Sequence, residues 1–171
     1  MPQNVYNNVE AHRIIDNGRV VEDVTKFSLP TITHPTTTIK AAGMAADVDF
    51  PNVTHLDAMS CTIDHNNGVN CQYLADPGKH IMEMRTVRQK YNTALGEIEH
   101  ESVKYRITGI HVETSKGDVE PGNPYGSVEK YSVLRYEEEI DGEVTTIVDA
   151  VSGILRWNGK DYSHVIESML N

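Results

Sequence analysis

Eight histidines and two cysteines carry the most varied chemistry in this chain, so their spacing comes first. His164 and Glu167 stand three apart, the spacing that puts two ligands on one helix face. Two ligands without a third do not hold a metal, and a solvated helix face is expected there. The run His111-Val112-Glu113 matches part of a zinc-deaminase signature, but the P-C-x-x-C half that completes the metal set is absent. His100-Glu101 is expected in a polar loop ahead of a strand. The acidic run Glu137-Glu138-Glu139 has no calcium-loop pattern around it, so an exposed hairpin end is expected. No serine sits in G-x-S-x-G, and neither a phosphate loop nor a dinucleotide fingerprint occurs. Cys61 and Cys71 have neither disulfide-framework nor zinc-site spacing and are expected as reduced, buried residues. Asn52-Val53-Thr54 matches a glycosylation acceptor, which means nothing without a secretory signal. No catalytic residue, metal site or cofactor is expected.

The elements that would have to position such residues tell more. A chain of 171 residues suits a single domain, here residues 1–171. Its apolar fraction of 39% fits a domain with long exposed loops, or with surfaces that a partner covers. No run approaches a membrane span, and the opening residues have neither a basic nor an apolar stretch, so no secretory signal and no membrane anchor are expected. A formal charge of −10 argues against a dedicated nucleic-acid binder. It does not exclude a surface that nucleic acid passes without sticking.

Turn signals are dense. Asn17-Gly18, Asp141-Gly142 and Asn158-Gly159 each stand between apolar runs, the signature of two-residue hairpins. Asn67-Gly68, Pro77-Gly78, Gly117-Asp118 and residues 120–127 add breakers. Between them lie strand-like segments. Val21, Asp23, Thr25, Phe27 and Leu29 fall on one side of a run. Met59, Cys61 and Ile63 alternate with polar residues, and 81–90 has strand length without helix caps. Val103, Tyr105 and Ile107 alternate as well, after which the apolar phase changes across Gly109, suggesting a bulge or bend. Segments 128–140 and 144–157 complete an antiparallel sandwich or barrel. Two segments read as helical. One is short, at about 70–76, with Asn70 as a possible cap. The other is 161–171, with Asp161 at its start and an apolar stripe of Val165, Ile166, Met169 and Leu170 to dock on a sheet. Trp157, beside a turn, is expected as a core or interface anchor.

The connection 30–52 is anomalous, because structureless loops of that length are uncommon in compact domains. Thr36, Thr37, Thr38 and Ile39 favour extended backbone. A projecting β-hairpin arm is expected, bending near Ala42, Gly43 and Met44. Ordering it costs about 1–2 kcal/mol per residue. Burial of Ile39, Met44, Val48 and Phe50 in another chain is the offset available. Unblocked sheet edges point the same way, since head-to-tail edge pairing builds rings or filaments.

The ordered set of motifs resembles the major tail tube protein family of contractile-tailed phages and phage-tail-like bacteriocins. The likeness runs from "NVYNNVEAHRIIDNGRVVEDVTKFSLP" through "IKAAGMAADVDFPN", "MSCTIDHNNG" and "YRITGIHVET" to "IDGEVTTIVDAVSGILRWNGKDYSHVIESML". It departs in the "EPGNPYG" loop and around "CQYLADPGKH". The resemblance implies a β-barrel or sandwich with a flanking helix, related to type VI secretion tube proteins. It implies homo-hexameric rings stacked into a hollow tube, with strands of all subunits forming one inner barrel. It further implies a contractile sheath around the tube, a baseplate initiator and a tail terminator at its ends, and tape measure protein or DNA in its lumen. The place implied is a virion tail or tailocin particle, assembled in the host bacterial cytoplasm. The arm at 30–52 would stack on the next ring. Six copies of −10 give a ring −60, a share of which would line the lumen so that cargo slides. The competing readings are a non-polymerising β-sandwich adaptor, terminator or binding module of a virion, and an enzyme built from scattered histidines.

Overall fold

The computed structural model describes residues 4–66 and 69–170, leaving aside the side chains of 69, 70, 165–167 and 170. The expected turn at Asn67-Gly68, the Asn70 cap, the Glu167 partner of His164 and the stripe residues Val165, Ile166 and Leu170 lie outside that description. The described chain is mainly antiparallel β. Strands β1 (Asn4–Asp16), β2 (Arg19–Val21) and β3 (Val24–Ser28) come first. The arm strands β4 (Thr36–Ile39) and β5 (Val48–Pro51) follow, then β6 (Met59–His65) and a 3-10 turn η1 (Val69–Ala75). Three long strands come next, β7 (Lys79–Asn92), β8 (Glu97–Ser115) and β9 (Ser127–Ile140). The chain closes with β10 (Glu143–Asp149), β11 (Ile154–Trp157), β12 (Lys160–Asp161) and the helix α1 (Ser163–Leu170).

Period-two patterning produces these strands. In β6, Met59, Cys61, Ile63 and His65 are buried while Ser60, Thr62 and Asp64 are not. Three two-residue turns set the registers of their hairpins. Asn17 and Gly18 have φ of 48° and 80°, Asp141 and Gly142 48° and 87°, and Asn158 and Gly159 49° and 76°. Positive φ at both central residues matches the right-handed twist of the flanking strands.

The sheet runs β12-β11-β10-β9-β8-β7-β1-β2, and β6 joins it by pairing with both β9 and β3. Because β3 follows β2 directly in the chain, the path β1-β2/β3-β6-β9-β8-β7 returns to β1 and encloses a barrel. Ile14, Met82, Ile107, Tyr131 and Ile63 fill its centre, each 2% exposed or less. Cys71 and Leu74 of η1 plug one end, where the Tyr131 hydroxyl donates to the Leu74 carbonyl at 2.7 Å. At the start of α1 the Asp161 carboxylate accepts from the Ser163 amide at 2.9 Å and the His164 amide at 3.2 Å. Met169 of α1 is exposed.

Two expectations need correction. Val21 to Leu29 is not one strand with a single inward row. Asp23 takes a φ of 59° and separates β2 from β3, and an irregular register between Val24 and Lys26 shifts the parity. Val24 and Phe27 therefore both face the core, while Asp23 and Thr25 are exposed. At Gly109 the register does shift, by an extra residue at Leu134 of β9. The inward row nevertheless continues through Gly109 to His111, and Ile110 and Val112 point outward. What changes across Gly109 is the polarity of the inward residues. A Cβ there would sit 3.0 Å from the Ser132 carbonyl and 3.2 Å from the Tyr131 Cβ, so two strands approach as closely as glycine allows.

Candidate functional site

Polar residues crowd the end of the barrel beyond Gly109. Asp16 at the close of β1 and His80 at the start of β7 are both buried, and His80 Nδ1 lies 2.8 Å from the Asp16 carboxylate. The other imidazole nitrogen of His80 meets the Asp76 carbonyl at 2.9 Å. Glu129 of β9, 1% exposed, faces His111 at 2.9 Å and His65 at 3.4 Å and accepts from the Thr114 hydroxyl. The Tyr131 ring stands edge-on to His80 and His111, with centroids 5.0 and 5.5 Å away. Among the described residues no group of three or more His, Cys, Asp or Glu side chains is arranged to hold a metal ion.

This cluster acts on stability. Burial raises the Asp16 carboxyl above its usual range, against the lowering influence of His80. Burial opposes charge on His80, but its bonds to the Asp76 carbonyl and the Asp16 carboxylate outweigh that and raise it. The pair thus keeps its proton to higher pH than the separate groups would. Burial opposes ionisation of Glu129 too, yet bonds from Thr114, His111 and His65 prevail and lower it. The stabilisation from His80 is complete below 6.5 and is lost as pH rises through its higher folded value. That from Glu129 is complete above 4.5 and is lost as pH falls through its lower folded value. The urea midpoint is therefore expected to peak between these limits. Asp16→Asn should flatten the alkaline limb, and a wild-type midpoint still rising at pH 8 would contradict the assignment.

The surface is organised by edges. Residues 4–13 of β1, all exposed, pair with β7 on one side, while β2 covers only Ile14 to Asp16 on the other. Residues 97–101 of β8 pair with β7 alone, because β9 joins only from Val103. Ser102 is capped by Asp141, whose backbone amide donates to the Ser102 carbonyl at 2.9 Å. The outer parts of β1, β7 and β8 thus form a three-stranded blade with a free edge on each side. Its inward face is cross-linked. The Arg88 guanidinium meets Glu101 at 2.7 Å and covers the Tyr6 ring at 4.8 Å, and Lys90 lies 3.6 Å from Glu101. Its other face aligns the exposed Val5, Tyr91 and Ile98 in one cross-strand row.

Further along that outer face the charges form a ladder across β7 to β10. Lys104 pairs with Glu139 at 2.8 Å, Arg106 with Glu139 at 3.1 Å and with Glu83 at 3.5 Å. Arg135 bridges Asp149 at 3.1 Å and Glu137 at 3.2 Å. These four carboxylates and the four cations Arg85, Lys104, Arg106 and Arg135 balance, so the excess acid lies elsewhere. Glu137 to Glu139 therefore sit within β9 and, for two of them, in ion pairs, not at an exposed hairpin end. His100-Glu101 likewise lies within β8 and not in a loop. Glu101 is buried, and His100 meets Glu10 at 2.9 Å.

The arm forms its own two-stranded sheet, with Thr36 opposite Pro51 and Ile39 opposite Val48. Ala42, Gly43 and Met44 make the bend, where Gly43 has a φ of 94° and the Met44 amide donates to the Ala41 carbonyl at 3.1 Å. Ile39, Met44, Val48 and Phe50 are exposed, and among the described residues β4 and β5 pair only with each other. At the root the Asn52 amide donates to the Pro35 carbonyl at 2.8 Å, and the Asp57 amide to Thr33 at 2.9 Å. An open groove of about 320 Å³ beside this root is lined by Ile32, His34, Val53, Leu155, Trp157 and Tyr162. Sequence reasoning missed it because its residues come from three separate segments. The position of Trp157 beside a turn, which made it a candidate interface anchor, was its one signal in the sequence.

Unsatisfied edges and a projecting apolar arm are features of a subunit that pairs with other chains. The sequence model of the phage tail tube protein FII family matches residues 9–169. The chain belongs to that family. No curated protein matches it. Tail tube proteins are structural, and membership gives the chain a structural role in a virion tail and self-assembly into a tube. Among the described residues of this tail tube protein, no helix is long and apolar enough to cross a membrane. The hairpin turn at residue 17 sets β1 against β2 in the barrel, and those at 141 and 158 set the β9–β10 and β11–β12 pairings beside it.

Proposed function

We propose that this tail tube protein polymerises as homo-hexameric rings stacked into the inner tube of a contractile tail, without catalysing a reaction. The two free edges on opposite sides of one blade carry this reading. Pairing the β1 edge of one copy with the β8 edge of the next is a heterologous contact, the kind that closes a ring. Strands β1 and β8 both pair antiparallel to β7, so they run in the same direction. Rotation about a ring axis preserves that direction, and the joint between subunits is a parallel one. Repeated around the ring it makes one continuous barrel. The arm, including Thr36 to Ile39, Ala42 to Met44, Val48 and Phe50, spans to the neighbouring ring. A contractile sheath surrounds the tube, a baseplate initiator and a tail terminator bound it, and tape measure protein or DNA occupies its lumen without sequence-specific binding. The particle is a phage tail or a tailocin, assembled in the bacterial cytoplasm.

Electron microscopy of the purified protein under assembly conditions tests this. Tubes of uniform width with six-fold end views are the expected result. Isolated rings that never stack would favour the terminator or adaptor reading, and rings of another symmetry would overturn the hexamer.

A further inference from the structure

We propose that the groove beside the arm root is the receptor for the apolar face of the arm strand β5 of a second copy. The proposal rests on the reading that the arm bridges subunits, and it names the partner surface. The groove and the arm are complementary in two respects. The first is apolar. Val53 and Trp157 leave about half their surface open at 51% and 41%, around a concavity wide enough for one large side chain. Phe50 at the arm is 52% exposed, with Val48 two residues away on the same face of β5.

The second is electrostatic. Lys160 stands opposite Trp157 in the β11–β12 register, so it shares the groove's face. Its ammonium sits 5.4 Å from the Tyr162 ring centroid. Among the described residues no carboxylate lies within ion-pair distance of it. The arm interleaves Asp47 and Asp49 with its apolar residues and has Lys40 as its one cation, so it carries a net negative charge. Asp47 meets Lys40 at 2.9 Å and Asp49 accepts from Thr38 at 2.6 Å, yet both carboxylates stay at the surface. With Val48 and Phe50 turned into the groove, Asp47 and Asp49 stand on the other face of the strand, so the attraction is that of the arm's net negative charge for a cation on the groove's rim. Because arm and groove are different surfaces of one chain, the contact repeats from copy to copy without closing on a pair.

Trp157 is the only tryptophan, so the groove contains its own probe. On tube formation its emission is expected to move to shorter wavelength and to lose access to acrylamide. Lys160→Glu should weaken assembly about tenfold, and adding Asp47→Lys with Asp49→Lys should restore it. A chain with Phe50→Cys mixed with one bearing Tyr162→Cys should form a disulfide dimer that neither forms alone, since Cys61 and Cys71 are buried. Tubes in which Trp157 stays as exposed as in the monomer, with no effect of the charge reversal, would overturn the groove as receptor. If removal of the arm still blocks tubes in that case, the bridging role of the arm stands. A blue shift that persists in rings of the armless chain would assign the groove to another occupant and also overturn the proposal.

Discussion

A chain lacking residues 36–50 should remain a folded β monomer and form no long tubes. Among the described residues the arm's strands pair only with each other, and Ile39, Met44, Val48 and Phe50 are exposed. The bonds that fasten its root, from Asn52 to Pro35 and from Asp57 to Thr33, involve only residues outside the deletion. An isolated two-stranded hairpin is marginal in water, so the arm gives the monomer little stability to lose. Shortening the connection lowers the entropy of closing it, a change of about 1 kcal/mol or less. Circular dichroism and the urea midpoint should therefore barely change. Sedimentation and electron microscopy should show monomers or single rings where the intact chain gives tubes. Ordinary tubes from the deletant would remove the arm from ring stacking.

The largest effect on folding is expected from His80→Ala. The change takes away the one partner, among the described residues, of an Asp16 carboxylate that is 0% exposed and whose second oxygen already lacks a hydrogen bond. It also removes the ring packed edge-on against Tyr131. Breaking a buried ion pair by removing one member costs about 3–5 kcal/mol. Against a domain stability of about 5–15 kcal/mol, that leaves a protein close to unfolding at neutral pH. The loss should ease as pH falls and Asp16 can take up a proton. The double variant Asp16→Val/His80→Leu should recover much of it, because an apolar pair needs no partner. Urea denaturation of the two variants at pH 5 and pH 8 decides the matter. Equal stability of His80→Ala and wild type at pH 8 would show that the pair contributes nothing.

The strands were legible wherever one face is buried and the other is wet, as in Met59 to His65. The hairpins were legible because Asn-Gly and Asp-Gly can take positive φ at both central positions. The arm could be read from a length too great for a structureless loop and from its run of threonines. Charged residues misled for a single reason. Glu137 and Glu139 lie inside a sheet only because Lys104, Arg106 and Arg135 arrive from neighbouring strands, and a linear sequence does not show which cation faces which acid. The same holds for Glu129, whose partners His65 and His111 come from two other strands. Histidines searched one at a time look solvated, and only the barrel's closure brings them together. That the sheet would leave edges was expected, but which strands carry them was not legible, since an edge is defined by the strand that does not arrive.

Closure of the barrel also sets an order of events. Ile14 meets Met84 and Met59 meets Val133 across long stretches of chain. Such non-local pairing makes folding slow, on a scale of about milliseconds to seconds for all-β domains. Neither free edge exists until β7 has aligned β1 with β8. A subunit leaving the ribosome therefore has no competent joint to offer while its chain is still searching. With the joint proposed above, growth of the tube would be gated by completion of each monomer, and partly folded chains would be refused at the growing end.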